Sequence, residues 1–122
     1  MDWTTSYLPE QRIVIIETQG IADDAGSVEM AKSILKTMQE HSALLCLIDH
    51  SAIKAVLGGT VPIYYRPREL REAGIPSNIR IAEVVHPIHK SHFSFFETVC
   101  QNFCINLRVF NDRESAIRWL TQ

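Results

Sequence analysis

Phe95-Phe96-Glu97-Thr98-Val99, followed by Ile105, Leu107 and Val109 and closed by Asp112-Arg113-Glu114-Ser115-Ala116-Ile117-Arg118-Trp119-Leu120, is the stretch that decides the fold. Phe93, Phe96, Val99, Cys100 and Phe103 recur at helical spacing and predict one apolar stripe on a helix. Ile105, Leu107 and Val109 alternate with polar residues, the period of a strand. Asp112 stands where an N-cap belongs, and Ala116, Ile117 and Leu120 supply the buried side of a last helix. The chain therefore ends as helix, turn, strand, turn, helix.

Upstream, the same alternation repeats. Trp3, Thr5 and Tyr7 alternate with smaller residues, and Pro9-Glu10-Gln11 makes a turn, so the chain opens as a hairpin. Residues 12–18 read as a strand ended by Gly20. Its centre, Ile13-Val14-Ile15-Ile16, is apolar throughout, which implies burial on both faces. Asp23-Asp24-Ala25-Gly26-Ser27 is a helix-start cluster, with Glu29 adding acid to the first turn. Val28, Ala31, Ile34, Leu35 and Met38 then form the stripe of a helix ending near His41. Residues 44–48 read as a second buried strand closed by Asp49, and residues 50–61 as a loop most flexible at Gly58-Gly59. Thr60 is placed to cap a helix with Pro62 in its first turn. Either that helix bends at Arg66-Pro67 or it starts at Pro67, and Gly74 ends it. Ile79, Ile81 and Val85 mark a third buried strand, with Arg80 and Glu83 at its polar positions, and residues 86–91 connect it to the next helix. Strands alternating with helices after a hairpin define an α/β fold. The prediction is a five-stranded, mostly parallel sheet with an antiparallel N-terminal edge pair and four helices, in one domain over residues 1–122.

Composition narrows the function. Of 122 residues, 46% are hydrophobic and 21% charged, a balance that supports a packed core. A net charge of -2 gives no basic field to recruit nucleic acid. The apolar runs are far shorter than the roughly 20 residues that span a bilayer, so no membrane insertion is expected. Met1-Asp2-Trp3 opens with neither a charged nor an apolar leader region, so no signal peptide is expected. Three cysteines, an odd number, suit reduced thiols in the cytoplasm.

With these residues in its elements, the chain resembles the STAS-like family, named for sulfate transporters and anti-sigma-factor antagonists, and within it the small stand-alone SpoIIAA-like branch. The matching segments are residues 13–20, 44–49 and 78–85, and above all the ending. That ending is Phe-Phe-Glu-Thr-Val, a turn, a strand finishing Arg-Val-Phe, then Asp-Arg-Glu-Ser-Ala-Ile-Arg-Trp-Leu. The resemblance implies a non-enzymatic regulatory module that binds a protein partner or a second copy of itself, as a homodimer, through residues 50–61 and 62–73. Phosphorylatable members carry Asp-Ser-Ser-Gly where this chain has Leu57-Gly58-Gly59-Thr60-Val61-Pro62. Only Thr60 is placed as a phosphoacceptor, and the turn at Asn102-Phe103-Cys104 replaces an expected Arg-Gly pair.

Several constellations bear on chemistry. His86, His89 and His92 recur at a spacing of three, and two of them on one helical face could reach a metal. Pro87 and Lys90 oppose that, so no metal and no cofactor is expected, and the alternative is a solvated helix-start loop. Asp49-His50-Ser51 has the letters of a hydrolase triad, but adjacent residues cannot form one. Asp49 at a strand end either faces a ligand crevice or caps a turn. Gly58-Gly59-Thr60 lacks the Gly-Lys-Ser/Thr ending of a phosphate loop. Tyr64-Tyr65-Arg66-Pro67-Arg68 pairs aromatics with cations, as interaction hot spots do, or as a tyrosine in the core beside solvated arginines. A second reading of the chain is a carrier or sensor of an apolar or anionic small molecule, held by Tyr64, Tyr65, Phe93 and Phe95 with Arg66 or Arg68 at a negative group. A pocket of roughly 300 Å³ or more between residues 62–73 and 91–103 would favour it.

Overall fold

A computed structural model describes residues 1–122, except for the side chains of Thr60 and Val61. The strands are β1 (Asp2–Leu8), β2 (Ile13–Ala22), β3 (Leu45–Val56), β4 (Arg80–Val84) and β5 (Asn106–Phe110). The helices are α1 (Asp24–His41), α2 (Thr60–Glu72), α3 (Lys90–Asn102) and α4 (Arg113–Leu120). The five strands lie side by side in chain order. β1 pairs antiparallel with β2, and every later pair is parallel. This is the predicted α/β architecture.

The sequential strand order explains where the helices go. Each crossover steps the same way across the sheet, so the right-handed rule puts α1, α2 and α3 on one face. Val14, Ile16, Cys46, Ile48, Ile81 and Leu107 of that face pack with Met30, Ile34 and Met38 of α1 and Cys100 of α3. The other face is left to α4. There Ile13, Ile15, Leu47, Ala82 and Val84 pack with Ala116, Trp119 and Leu120. Both faces are covered, which is why the central strands are apolar without alternation.

The capping predictions hold at both ends of the chain. Asp23 accepts from the Gly26 amide at 2.7 Å, and Asp112 from the Ser115 amide at 2.7 Å.

Four predictions are corrected. Gly20 does not end its strand: β2 continues to Ala22, and Gly20 has φ of +82° beside register shifts against β3. A glycine in that conformation marks a bulge as readily as an end. The expected loop over 50–61 is mostly strand, because β3 runs on to Val56 beside β2 and only Leu57 to Gly59 connect it to α2. Gly59, not Thr60, holds the N-cap position of α2, with no side-chain cap bond. Glu83 occupies no solvent-facing position; it is 3% exposed. As for the open question at Pro67, α2 is one continuous helix through it, with Pro67 and Ile63 buried on its inner side.

Candidate functional site

The sequence candidates separate into three places. Strand parity and the helical period decide which goes where.

Asp49 falls on the α4 face. It lies directly across β2–β3 from Glu17, a juxtaposition of like charges that would be unfavourable alone. Arg113, at the start of α4, reaches both, at 2.8 Å to Asp49 and 3.4 Å to Glu17. Asp49 also accepts from the Ser51 amide and hydroxyl at 2.9 and 2.6 Å. Burial pushes the Asp49 carboxyl up, but the bonds from Ser51 and Arg113 outweigh it and hold it below its ordinary value. The group is a satisfied anchor between sheet and helix.

Tyr64, Tyr65 and Arg68 fall on the outer side of α2. Both tyrosines are exposed, they meet edge to face at 5.4 Å, and Arg68 lies 5.9 Å from the Tyr65 ring. The Thr60 side chain, the expected phosphoacceptor, lies outside the described residues. Around this helix start other apolar side chains stand in solvent. Leu57 is 59% exposed and donates its amide to the Ala22 carbonyl at 2.7 Å, which sets it beside exposed Ile21. Ile88 is 77% exposed in the short 3₁₀ turn after β4, and Phe95 is exposed on α3. Of the exposed large apolar side chains among the described residues, Leu44 alone lies at the opposite end of the sheet. The carboxyl ends of the parallel strands thus carry an apolar rim.

Arg66 and Phe93 turn inward, onto the face covered by α1, α2 and α3, and meet three residues that the sequence reading did not select. Thr18, His50 and Glu83 are the buried polar side chains of the chain's described residues. His50 Nδ1 lies 2.8 Å from Thr18 Oγ1, and His50 Nε2 lies 3.0 Å from Glu83 Oε2. Thr18 Oγ1 also lies 3.2 Å from the Asp49 carbonyl oxygen. Thr18 has one hydroxyl proton, so both its contacts are hydrogen bonds only if it donates to that carbonyl and accepts from Nδ1–H. One proton then bridges Nε2 and Oε2. Whichever atom holds it, the His50–Glu83 pair carries no net charge. The Phe93 ring stacks on His50 at 4.8 Å. Hydroxyl, imidazole and carboxylate in series have the order of a hydrolase triad, but Thr18 is 1% exposed and its hydroxyl is already committed to a backbone carbonyl.

His50, Glu83 and Phe93 line a cavity of about 80 Å³ between the sheet and the three helices, walled mostly by apolar side chains such as Met30, Ile34, Ile63 and Phe96. Arg66 and His92 lie in the same wall. Arg66 is ion-paired with Asp24. Burial lowers the His92 pKa, and nearby Arg66, His50 and His89 lower it further against the pull of Glu83, so the ring is neutral at pH 7. The cavity is well below the 300 Å³ set for a drug-sized ligand. Cys46 and Cys100 are fully buried, and burial, with Glu83 nearby, pushes both thiols far up.

The three spaced histidines do different work. His86 Nδ1 accepts from the Ile88 amide at 3.2 Å and caps the 3₁₀ turn, whereas His92 meets Phe93 edge on at 4.9 Å. Among the described residues no group of three His, Cys, Asp or Glu side chains is placed to hold a metal ion. Nor, among them, is any helix long and apolar enough to cross a membrane.

Strand parity was the signal that could have found the buried triad. Glu83 shares it with Ile79 and Ile81, and Thr18 with Val14 and Ile16.

Comparison with known structures places the fold. The chain matches an anti-sigma factor antagonist from Mycobacterium paratuberculosis with a TM-score of 0.64 at 12% identity, over 99% of this chain and 96% of that one. It matches an uncharacterised protein with a SpoIIAA-like fold from Shewanella loihica PV-4 with a TM-score of 0.61 at 12% identity, over 98% and 92%. The anti-sigma factor antagonist SpoIIAA in its unphosphorylated form gives 0.56 at 13% identity, over 93% and 92%. The architecture is that of a STAS-like domain, and within that class the SpoIIAA-like fold. No protein-family model matches the chain, and no curated protein matches it by sequence.

Proposed function

We propose that this protein is a non-enzymatic regulatory module of the cytoplasm that works by binding another protein through the carboxyl end of its sheet. The observation that carries the reading is the apolar rim of Ile21, Leu57, Tyr64, Tyr65 and Ile88, gathered at one end of the molecule. Exposed apolar side chains gathered at one end of a domain mark interaction sites, and tyrosine beside arginine is the composition of their hot spots. β3 adds to it: beyond Asp49 it has left β4 and is paired only with β2, so its other edge is free among the described residues. Two of the structures that share the fold are anti-sigma factor antagonists, proteins that act on a protein partner. A second copy of the chain, the homodimer implied by the resemblance, is the other occupant this rim would accept.

Native mass spectrometry of the untagged protein, purified gently from its own cells, tests the reading. The wild type is expected to carry a second polypeptide that Leu57→Asp loses, with the variant's own mass and folded charge distribution unchanged. A wild type that flies as a bare monomer would remove the proposal.

A further inference from the structure

We propose that the outer edge of β1 pairs antiparallel with the same edge of a second copy of this chain, joining two five-stranded sheets into one of ten strands. The surface is separate from the apolar rim, and the inference does not depend on the docking reading: β1 borders the sheet along one side, whereas the rim lies at its carboxyl end.

Three observations carry it. The first is that only one of the two outer edges is open. The order β1-β2-β3-β4-β5 puts β1 and β5 at the borders. The β5 edge is occupied by its own chain. Glu97 Oε2 accepts from the Val109 amide at 2.6 Å, Gln101 Nε2 donates to the Leu107 carbonyl at 3.4 Å, and the Leu107 amide donates to the Ile105 carbonyl at 3.0 Å. Two side chains one turn apart on α3 thus take the place of a sixth strand. Among the described residues β1 is hydrogen-bonded to β2 alone, so its outward amides and carbonyls are available to another chain. The second observation is that β1 lacks the devices that keep an edge strand single. It contains no Lys, Arg or Pro, and it pairs with β2 along its whole length without a register shift.

The third observation is self-complementarity. A two-fold axis at Thr5, the central residue of the strand, sets Trp3 opposite the partner's Tyr7, Thr4 opposite the partner's Ser6, Asp2 opposite the partner's Leu8, and Thr5 opposite its own copy. Aromatic pairs and hydroxyl pairs are favourable cross-strand neighbours, and in this register no like charges meet. Trp3 and Tyr7 are half-buried against the α1 side of the core, and Thr5 between them is exposed, so α1 does not close over the centre of the strand. The contact is isologous, and with β5 occupied the assembly stops at two.

Sedimentation of the full-length chain over a range of concentrations tests the pairing. The interface is small, so the wild type is expected to pass from monomer to dimer with a midpoint of roughly 10–100 µM. Thr5→Lys and Thr5→Glu are each expected to fold with the wild-type circular dichroism spectrum, since the position is exposed, and to stay monomeric, because each sets like charges face to face at the axis. Mixed in equal amounts, the two variants are expected to recover the association, because a mixed dimer brings opposite charges together there. Leu57→Asp is expected to associate as the wild type does. A wild type that stays monomeric up to about 1 mM, Thr5 variants that associate unchanged, or a mixture that stays monomeric would overturn the pairing. Loss of association in Leu57→Asp would place the second copy on the rim and equally overturn it.

Discussion

Replacing His50 with leucine is expected to cost about 3–5 kcal/mol of folding stability, because it leaves Glu83 buried with neither carboxylate oxygen partnered by the protein. The reverse single change, Glu83→Leu, is expected to cost less, on the order of 1–3 kcal/mol. It orphans one imidazole nitrogen while Nδ1 keeps Thr18, and a neutral imidazole is cheaper to leave unpaired than a carboxylate. The double variant His50→Leu/Glu83→Leu is expected to return close to wild type, since a buried pair replaced by apolar groups of similar size is often neutral or better. Thr18 would still donate to the Asp49 carbonyl. Urea unfolding of the four proteins measures the cycle. Strictly additive losses in the double variant would show that the two side chains are not coupled.

Trp119→Ala is expected to cost about 3–5 kcal/mol, nearly all of it by releasing α4. That helix has eight residues, too few to hold itself, so it persists through its packing. Trp119 is the centre of that packing. Arg80 lies 4.4 Å from its ring and Phe110 5.7 Å, and Arg80 also donates to the Gln122 carbonyl at 3.2 Å. α4 alone covers this face, so nothing else would exclude water from Ile15, Leu47 and Ala82. Hydrogen exchange should then show the α4 amides losing protection while those of β2 and β3 keep most of theirs. A loss below about 1 kcal/mol, with α4 still protected, would contradict this assignment.

What the sequence disclosed follows from the range of the interactions. The helical stripes, the strand alternation at 105–109 and the aspartate caps are local, and they could be read directly. The sequential sheet with three helices on one face follows from those elements and the handedness of crossovers. The length of β3 was hidden because Ser51, Ala52 and Lys54 are weak strand formers and are held there by pairing to β2. Glu83 was misplaced because a lone acid in an apolar strand usually faces water. Its partner is 33 residues away, and only folding brings the two together. The candidate site fared worse for the same reason. Tyr64, Tyr65 and Arg66 are consecutive, yet one turn of helix sends the tyrosines outward and the arginine into the cavity wall. Asp49 lies across the sheet from both.

Photo-crosslinking inside the native cell separates the apolar rim from every other surface. A benzophenone side chain at position 57 or 64 is predicted to trap one discrete polypeptide, either another protein or a second copy of this chain. The same probe at position 44, also apolar and exposed but at the far end of the sheet, is predicted to trap none. Equal adducts at 44, or none at 57 and 64, would mean that the carboxyl end of the sheet is not where this protein does its work.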